Sequence, residues 1–349
     1  MYDIAIIGAG PAGAILAREL ARNNEKLNIL LVDGSDGHEK VCGGLLSPDA
    51  QGVLESLGLE LPDWVRLDPQ TDRVETIDLS AGVTTTYPRN YINTNRRDFD
   101  AWLLSQVPRN VCIVSARCIS VERGRDHFTV TLREGDITEQ VLAGIVVGAD
   151  GAASVVRRCL YPDSKPYKYV SIQEWYELPD DALPIFTCVY DKKTSDSCSW
   201  TIRKGNDFIF GGAFVEKGCR EAFDEQKRRL EGHFGVSFGE VKKREACLVV
   251  SPRKTEDFLT GNMGAYLVGE AAGFISSSSF EGISSALTSG KILAECILNS
   301  MVYEEITESY KKKTLALRLK LAFKIPKMWI LTNPFLRKII MKSGITAVK

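Results

Sequence analysis

The stretch that most constrains this chain is its beginning, YDIAIIGAGPAG from Tyr2 to Gly13. Tyr2 to Ile7 read as a buried strand that runs straight into a glycine turn and then a helix. Gly8, Gly10 and Gly13 match G-x-G-x-x-G, in which the first glycine makes the tight turn, the second lets backbone approach a pyrophosphate and the third lets helix and strand pack closely. Pro11 and Ala12 lie between them, and a proline in the first helical turn forfeits only an N–H that has no partner there. The free N–H groups of that turn, with roughly half a unit of positive charge from the helix dipole, favour phosphates. A second strand is predicted over Leu27 to Val32, ending at Asp33. An acid about 20 residues past the turn reaches the ribose hydroxyls of an adenine dinucleotide. Strand, turn, helix, second strand and terminal acid therefore agree on nucleotide binding, without saying which dinucleotide.

Further along, Cys42, Gly43 and Gly44 precede an amphipathic helix with Leu54 and Leu57 on its inner side. Paired glycines there either allow close approach to a flat ligand or ease a helix entry around a core cysteine. Residues 71 to 88 alternate as short strands with turns, and Asn93 to Leu104 reads as a helix entry with Arg96 and Arg97 near its start. Arginines at a helix N-terminus oppose its dipole, so they are expected to answer another charge, either a phosphate or a neighbouring carboxylate. After strands near 111–114 and 128–132, IVVGADGAASVVRR from Ile145 to Arg158 repeats buried strand, glycine turn and helix start. Asp150 sits where a carboxylate can accept from a ribityl or ribose hydroxyl.

Tyr167 to Phe214 reads as strands, with a hairpin turning near Gly205 and Asn206, followed by a polar helix from Cys219 to Phe234 and a strand from Cys247 to Val250. Ala265 to Leu287 then brings a buried strand ending at Gly269 and Glu270, a serine-rich loop, and a helix beginning around Glu281, Gly282 and Ile283. Such a helix start sets N–H groups against a developing anion. The expected fold is α/β: a Rossmann-like nucleotide domain in pieces (1–70, 90–165 and 255–300) around an inserted mixed, mostly antiparallel substrate-binding sheet (71–89 and 166–254). A basic C-terminal helical segment (301–349) ends the chain.

With 349 residues the chain can bury a full core. It holds no run of eighteen apolar residues and opens directly on a strand, so neither a transmembrane helix nor a secretory signal is expected, and a cytoplasmic protein is. Nine cysteines without a C-x-x-C argue for reduced thiols rather than disulfides or zinc, and three isolated histidines add no metal pattern. The formal charge of −1 hides an asymmetry. Ser309 to Lys349 carries eleven Lys and Arg and no acid, which leaves 33 basic and 45 acidic residues, or −12, in the rest.

Taken together, GAGPAG, GADGAASVVRR and the GEAAG to EGI stretch resemble the three FAD motifs of the group that holds aromatic hydroxylases and geranylgeranyl reductases. CGG at Cys42 to Gly44, Arg96 with Phe99 and Asp100, and Trp200 on a central strand resemble the geranylgeranyl reductase family most, and the overall pattern its short bacterial CbrA-type branch. That resemblance implies a para-hydroxybenzoate hydroxylase-like FAD fold, with C-terminal helices enclosing an apolar tunnel. It also implies saturation of isoprenoid double bonds by reduced flavin. Gly8, Gly10, Gly13, Asp33, Arg96 and Asp150 would bind FAD, Glu270 stands where the family usually has aspartate, and Gly282 would lie near the flavin pyrimidine edge. Cys42 would lie near the reactive face and is the candidate proton donor, with Trp200 lining the cavity. Ser277 replaces an expected proline and Phe280 an expected glycine.

Two other functions share this fold reading: an FAD monooxygenase hydroxylating a small aromatic, and a non-catalytic flavin redox or regulatory protein. No second G-x-G-x-x-G is present for a nicotinamide, so the electron donor is expected to be NAD(P)H docking transiently or a reduced ferredoxin-like protein. The expected substrate is a hydrophobic small molecule or lipid, and no nucleic acid is expected as a partner. In the tail, Leu315, Leu319 and Ala322 recur at helical spacing beside lysines, Pro326 is expected to interrupt the helix, and Trp329, Phe335, Ile339 and Ile340 follow. This mixture suits either a helical lid or a segment lying peripherally on an anionic membrane at its cytoplasmic face.

Overall fold

The structure is a computed structural model that describes residues 1–35, 40–180 and 182–343. Residues 36–39 of the loop expected after Asp33, and 344–349 of the tail, lie outside the described residues. The chain opens with β1 (Tyr2–Ile7), α1 (Pro11–Asn23), β2 (Ile29–Asp33) and β3 (Leu45–Leu46). α2 (Pro48–Ser56), β4 (Thr71–Asp78), β5 (Val83–Asn93) and α3 (Arg96–Ser105) follow. Next come β6 (Cys112–Ser115), β7 (Arg117–Arg123), β8 (Phe128–Glu134), β9 (Ile137–Gly148) and α4 (Val155–Leu160). The middle is β10 (Lys168–Glu177), β11 (Phe186–Tyr190), β12 (Cys198–Lys204), β13 (Asp207–Phe214), α5 (Cys219–Phe234) and β14 (Lys243–Val250). β15 (Gly261–Asn262), β16 (Ala265–Leu267), α6 (Ile283–Asn299), α7 (Tyr303–Lys313), α8 (Leu315–Ala322), α9 (Lys324–Thr332) and α10 (Pro334–Lys342) complete it.

One sheet carries the order β15-β16-β9-β1-β2-β6, and β16, β9, β1, β2 and β6 run parallel. Ile4 pairs with Ile29 on one side and Ile145 on the other, so β1 is central and its apolar residues are buried on both faces. α1 and α6 pack closely because Gly290 has no side chain: a Cβ there would lie 2.5 Å from the Ala12 carbonyl oxygen.

The second sheet has the order β14-β10-β13-β12-β11-β4-β5-β3 and is antiparallel except between β11 and β4, as the expected mixed sheet requires. Alternation along β12 gives it two different faces. Ser199 bonds Gln226 of α5 at 2.5 Å, on the side where Phe210, Phe214, Phe223 and Leu230 form a separate core. Trp200 and Ile202 turn the other way and join Tyr91 and Phe186. The sheet reaches beyond the expected limit at residue 89: β5 continues to Asn93, because Ile92 and Asn93 pair with Leu46 and Leu45 of β3.

The tail is helical, but Pro326 does not interrupt it where expected. The break falls at Phe323, and Pro326 sits in the first turn of α9, where a proline removes no helical hydrogen bond. Leu315 and Leu319 do not form an inner face, since both are about half exposed. Ile325, Met328 and Leu331 are the residues that pack inward. Among the described residues no helix is long and apolar enough to cross a membrane.

Candidate functional site

A cavity of about 1130 Å³ lies between the two sheets, larger than the roughly 300–1,000 Å³ of ordinary small-molecule sites. One end is built from the C-terminal ends of parallel strands. Gly8 and Gly10 after β1, Asp33 of β2 and Asp150 after β9 all line it, the position where open α/β sheets bind ligands.

The three glycines of the first motif do different work there. Gly8 has φ +108, and a Cβ on it would stand 2.5 Å from the Ala149 carbonyl oxygen. Gly13 does not line the cavity; a Cβ on it would collide with the Gly8 carbonyl oxygen and lie 3.3 Å from the Ala149 Cβ. Gly10 has ordinary backbone angles, φ −66 and ψ −175, and nothing within 4 Å of where a Cβ would be. Its open side, with Pro11 and Ala12 at the start of α1 lining the same space, is a cradle that a side chain would fill and a pyrophosphate fits. One Asp33 carboxylate oxygen accepts the Ser35 N–H at 3.0 Å, which orients the side chain at the end where a ribose would sit.

The other predicted cofactor residues divide by what holds them. Asp150 caps α4, accepting from the Ser154 hydroxyl at 2.5 Å and the Val155 N–H at 2.6 Å. Burial pushes its carboxyl up, with those hydrogen bonds opposing. Glu270 uses both oxygens, one for the Val250 N–H at 3.0 Å and one for Lys40 at 2.6 Å, and that pairing raises the Lys40 ammonium against the effect of burial. Gly269 is off the cavity wall, its φ of +58 shaping the turn and its Cβ position only 3.1 Å from Ala12. Gly282 and Ile283 open α6 at the wall, and the Glu281 side chain turns to Tyr91 and Arg89, at 2.5 and 3.5 Å.

Cys42, Gly43 and Gly44 line the cavity against the second sheet. A Cβ on Gly43 would meet Ile202 at 2.5 Å, and one on Gly44 would collide with the Thr94 carbonyl, so the loop lies flat on β12. Arg96, whose Nε bonds Asp100 at 2.9 Å, also borders the cavity. It thus answers a carboxylate, one of the two charges its position at the helix start called for. Burial pushes the half-buried Cys42 thiol up, but Arg96, the Gly44 N–H and Lys40 together bring it below its usual value. Trp200 lines the cavity as well, and lies across Gly211 of β13, where a Cβ would approach its indole nitrogen to 2.5 Å.

Three further features complete the site, of which the first has no counterpart in the sequence reading. Lys204 is buried beneath the Gly43–Gly44 loop, donating to Asn93 Oδ1 at 2.5 Å and the Thr94 carbonyl at 2.6 Å, and burial pushes its ammonium down to about 7. Phe280, where the resembled family has glycine, keeps the left-handed backbone a glycine favours, at φ 54. Its ring packs edge-on against Tyr169 at 5.7 Å between centroids. Finally, the far end of the cavity is closed by the tail: Lys324, Lys327 and Leu331 of α9 join Tyr190, Cys198 and Phe280 there. Burial, with Lys324 nearby, brings the Lys327 ammonium down to about 8. Among the described residues no group of His, Cys, Asp and Glu could hold a metal ion.

Comparison with known proteins adds the following. The family model described as lycopene cyclase protein matches residues 3–176. Protein CbrA of Escherichia coli O6:H1 is 42% identical over 99% of this chain and 94% of its own length. A geranylgeranyl bacteriochlorophyll reductase-like protein from Thermoplasma acidophilum superposes with a TM-score of 0.79 at 16% identity, covering 95% of this chain and 86% of that one. PqsL, a probable FAD-dependent monooxygenase from Pseudomonas aeruginosa, gives 0.71 at 17% identity, covering 98% and 99%. The fold is that of FAD-dependent oxidoreductases.

Proposed function

We infer the function from the premise that the chain belongs to the CbrA family, and we propose that it is an FAD-dependent oxidoreductase reducing carbon–carbon double bonds of an isoprenoid or polyprenyl-like substrate. The observation that carries this reading is the continuity of one cavity from the Gly10 cradle to an apolar wall of Phe186, Trp200, Ile202 and Leu331. When bound and reduced, FAD supplies the hydride, and the protein supplies binding and orientation. The start of α1 would hold the pyrophosphate beside Gly10, Asp33 the ribose, and the N–H groups at Gly282 and Ile283 the ring edge. Saturation also needs a proton. We assign it to the Cys42 thiol, which the cations around it make more acidic than an ordinary thiol. Trp200 and Phe186 hold an apolar chain against the sheet and exclude water. Electrons arrive from NAD(P)H docking transiently or from a reduced ferredoxin-like protein.

The test is mass spectrometry of lipid extracts incubated anaerobically with the holoprotein and dithionite, and without protein. Polyprenyl species that gain a pair of hydrogens per bond only with protein support the reading. In a parallel aerobic incubation with small aromatics, a product that gains an oxygen atom with oxygen consumption replaces it with the monooxygenase, and a flavin that no donor reduces replaces it with the regulatory protein.

A further inference from the structure

We propose that the outer face of α8, α9 and α10 is a docking surface for an anionic lipid bilayer. Its inner side is filled: Leu321, Ile325, Met328, Leu331 and Met341 are buried. It is also fixed in place, because Arg337 is 2% exposed, donates from Nε to Asp78 at 2.6 Å and from Nη1 to the Leu331 carbonyl, and stacks over the Tyr190 ring at 4.8 Å. The outward residues therefore cannot turn in. Phe323 is 76% exposed, Phe335 71% and Trp329 63%, with Leu315, Leu319 and Ile339 about half exposed. Soluble monomers rarely leave this many large apolar side chains of one short segment exposed without a partner.

The charge around them selects the partner. Ser309 to Lys349 contains no Asp or Glu. Lys313 and Lys320 pair with Glu295 and Asp49 elsewhere in the chain, while Lys311, Lys312 and Lys342 are exposed. Large apolar residues including a tryptophan, on a segment with lysines and no acid of its own, match the headgroup boundary of an anionic membrane. Two copies docked through this face would bring cation against cation. The face also leads inward: α9, which carries the exposed Trp329 and begins just after the exposed Phe323, also carries Lys324, Lys327 and Leu331, which line the cavity, so a docked protein holds its cavity wall close to the lipid surface. The proposal concerns where the protein sits and stands apart from which bond it reduces.

The experiment is co-sedimentation of the full-length holoprotein with vesicles of phosphatidylcholine alone and with added phosphatidylglycerol, at low and high salt. A Phe323→Ser/Phe335→Ser variant is run beside it, with thermal midpoint and flavin content as controls of folding. The expected result is binding to the phosphatidylglycerol vesicles that salt weakens and that the variant reduces roughly tenfold or more with both controls unchanged. Wild-type protein that stays in the supernatant, or a folded variant that binds equally well, overturns the proposal. So does a concentration-dependent dimer in analytical ultracentrifugation that the variant dissolves, because the face then belongs to a second copy. These results do not depend on turnover, so they fail separately from the reductase reading.

Discussion

Replacing Gly10 and Gly13 by alanine, one at a time, separates the two jobs that their shared motif conceals. At Gly10 the new methyl meets nothing within 4 Å, and φ −66 is open to any residue. The only expected cost to the apo protein is the weaker N-cap, under about 1 kcal/mol. The methyl would stand where phosphate oxygens come up to the backbone, and an overlap of that kind costs about 1–3 kcal/mol, or roughly fivefold to 150-fold in FAD affinity. At Gly13 the methyl collides with the Gly8 carbonyl, and Gly8 cannot retreat, because it is itself packed against Ala149 at φ +108. The strand and helix must separate, so a loss of about 3 kcal/mol or more in apo stability is expected. Urea unfolding of the deflavinated proteins and titration with FAD by fluorescence measure the two quantities. Wild-type FAD affinity in Gly10→Ala, or wild-type apo stability in Gly13→Ala, would refute the assignment.

Other outcomes follow from the buried charges. Lys204 has its folded pKa lowered to about 7, so from there up to the ordinary lysine value the unfolded chain binds more protons, and stability rises with pH. Between pH 7 and 9 wild type should gain about 2 kcal/mol relative to Lys204→Met by urea unfolding; parallel pH dependences would remove the claim. Cys42, its thiol brought below the usual value, should be alkylated by iodoacetamide ahead of Cys198 and Cys247, which burial pushes up to about 12 and about 11. Arg96→Gln should shift that labelling to higher pH, and an unchanged profile would mean Arg96 does not act on the thiol. Arg337→Met leaves Asp78 buried without its cation, at a cost of about 3–5 kcal/mol. Trypsin should then cut within α9 and α10 faster than in wild type, and equal cutting would show that the pair does not hold the tail.

The elements that could be read from sequence are those whose pattern is local. The β1 strand, the Gly205–Asn206 hairpin turn and the α5 helix from Cys219 to Phe234 fall where periodicity and turn residues place them. The fold class followed from the order of the glycine motifs. What stayed hidden depends on distant chain. Lys204, just before a hairpin turn, has the look of a solvated residue, and only the convergence of Gly44, Asn93 and Thr94 gives a buried ammonium its acceptors. Glu281 reads as part of a cofactor loop, but its side chain is claimed by Tyr91 and Arg89 of the other sheet. Leu315 and Leu319 have helical spacing and still face outward, because spacing defines a face and only tertiary packing decides which way it turns. Gly10 and Gly13 look equivalent in a motif and differ only in what a Cβ would meet.

The central claim is that this cavity holds reduced FAD beside a substrate double bond, and its most direct test is flavin reoxidation under strictly anaerobic conditions. Holoprotein reduced by a stoichiometric amount of dithionite is mixed with polyprenyl lipid, and the absorbance of oxidised flavin is followed. The account predicts that the yellow colour returns with lipid alone, at one flavin reoxidised per double bond saturated, and more slowly in Cys42→Ala. Flavin that stays reduced with every lipid tested and reoxidises only when oxygen is admitted would contradict it.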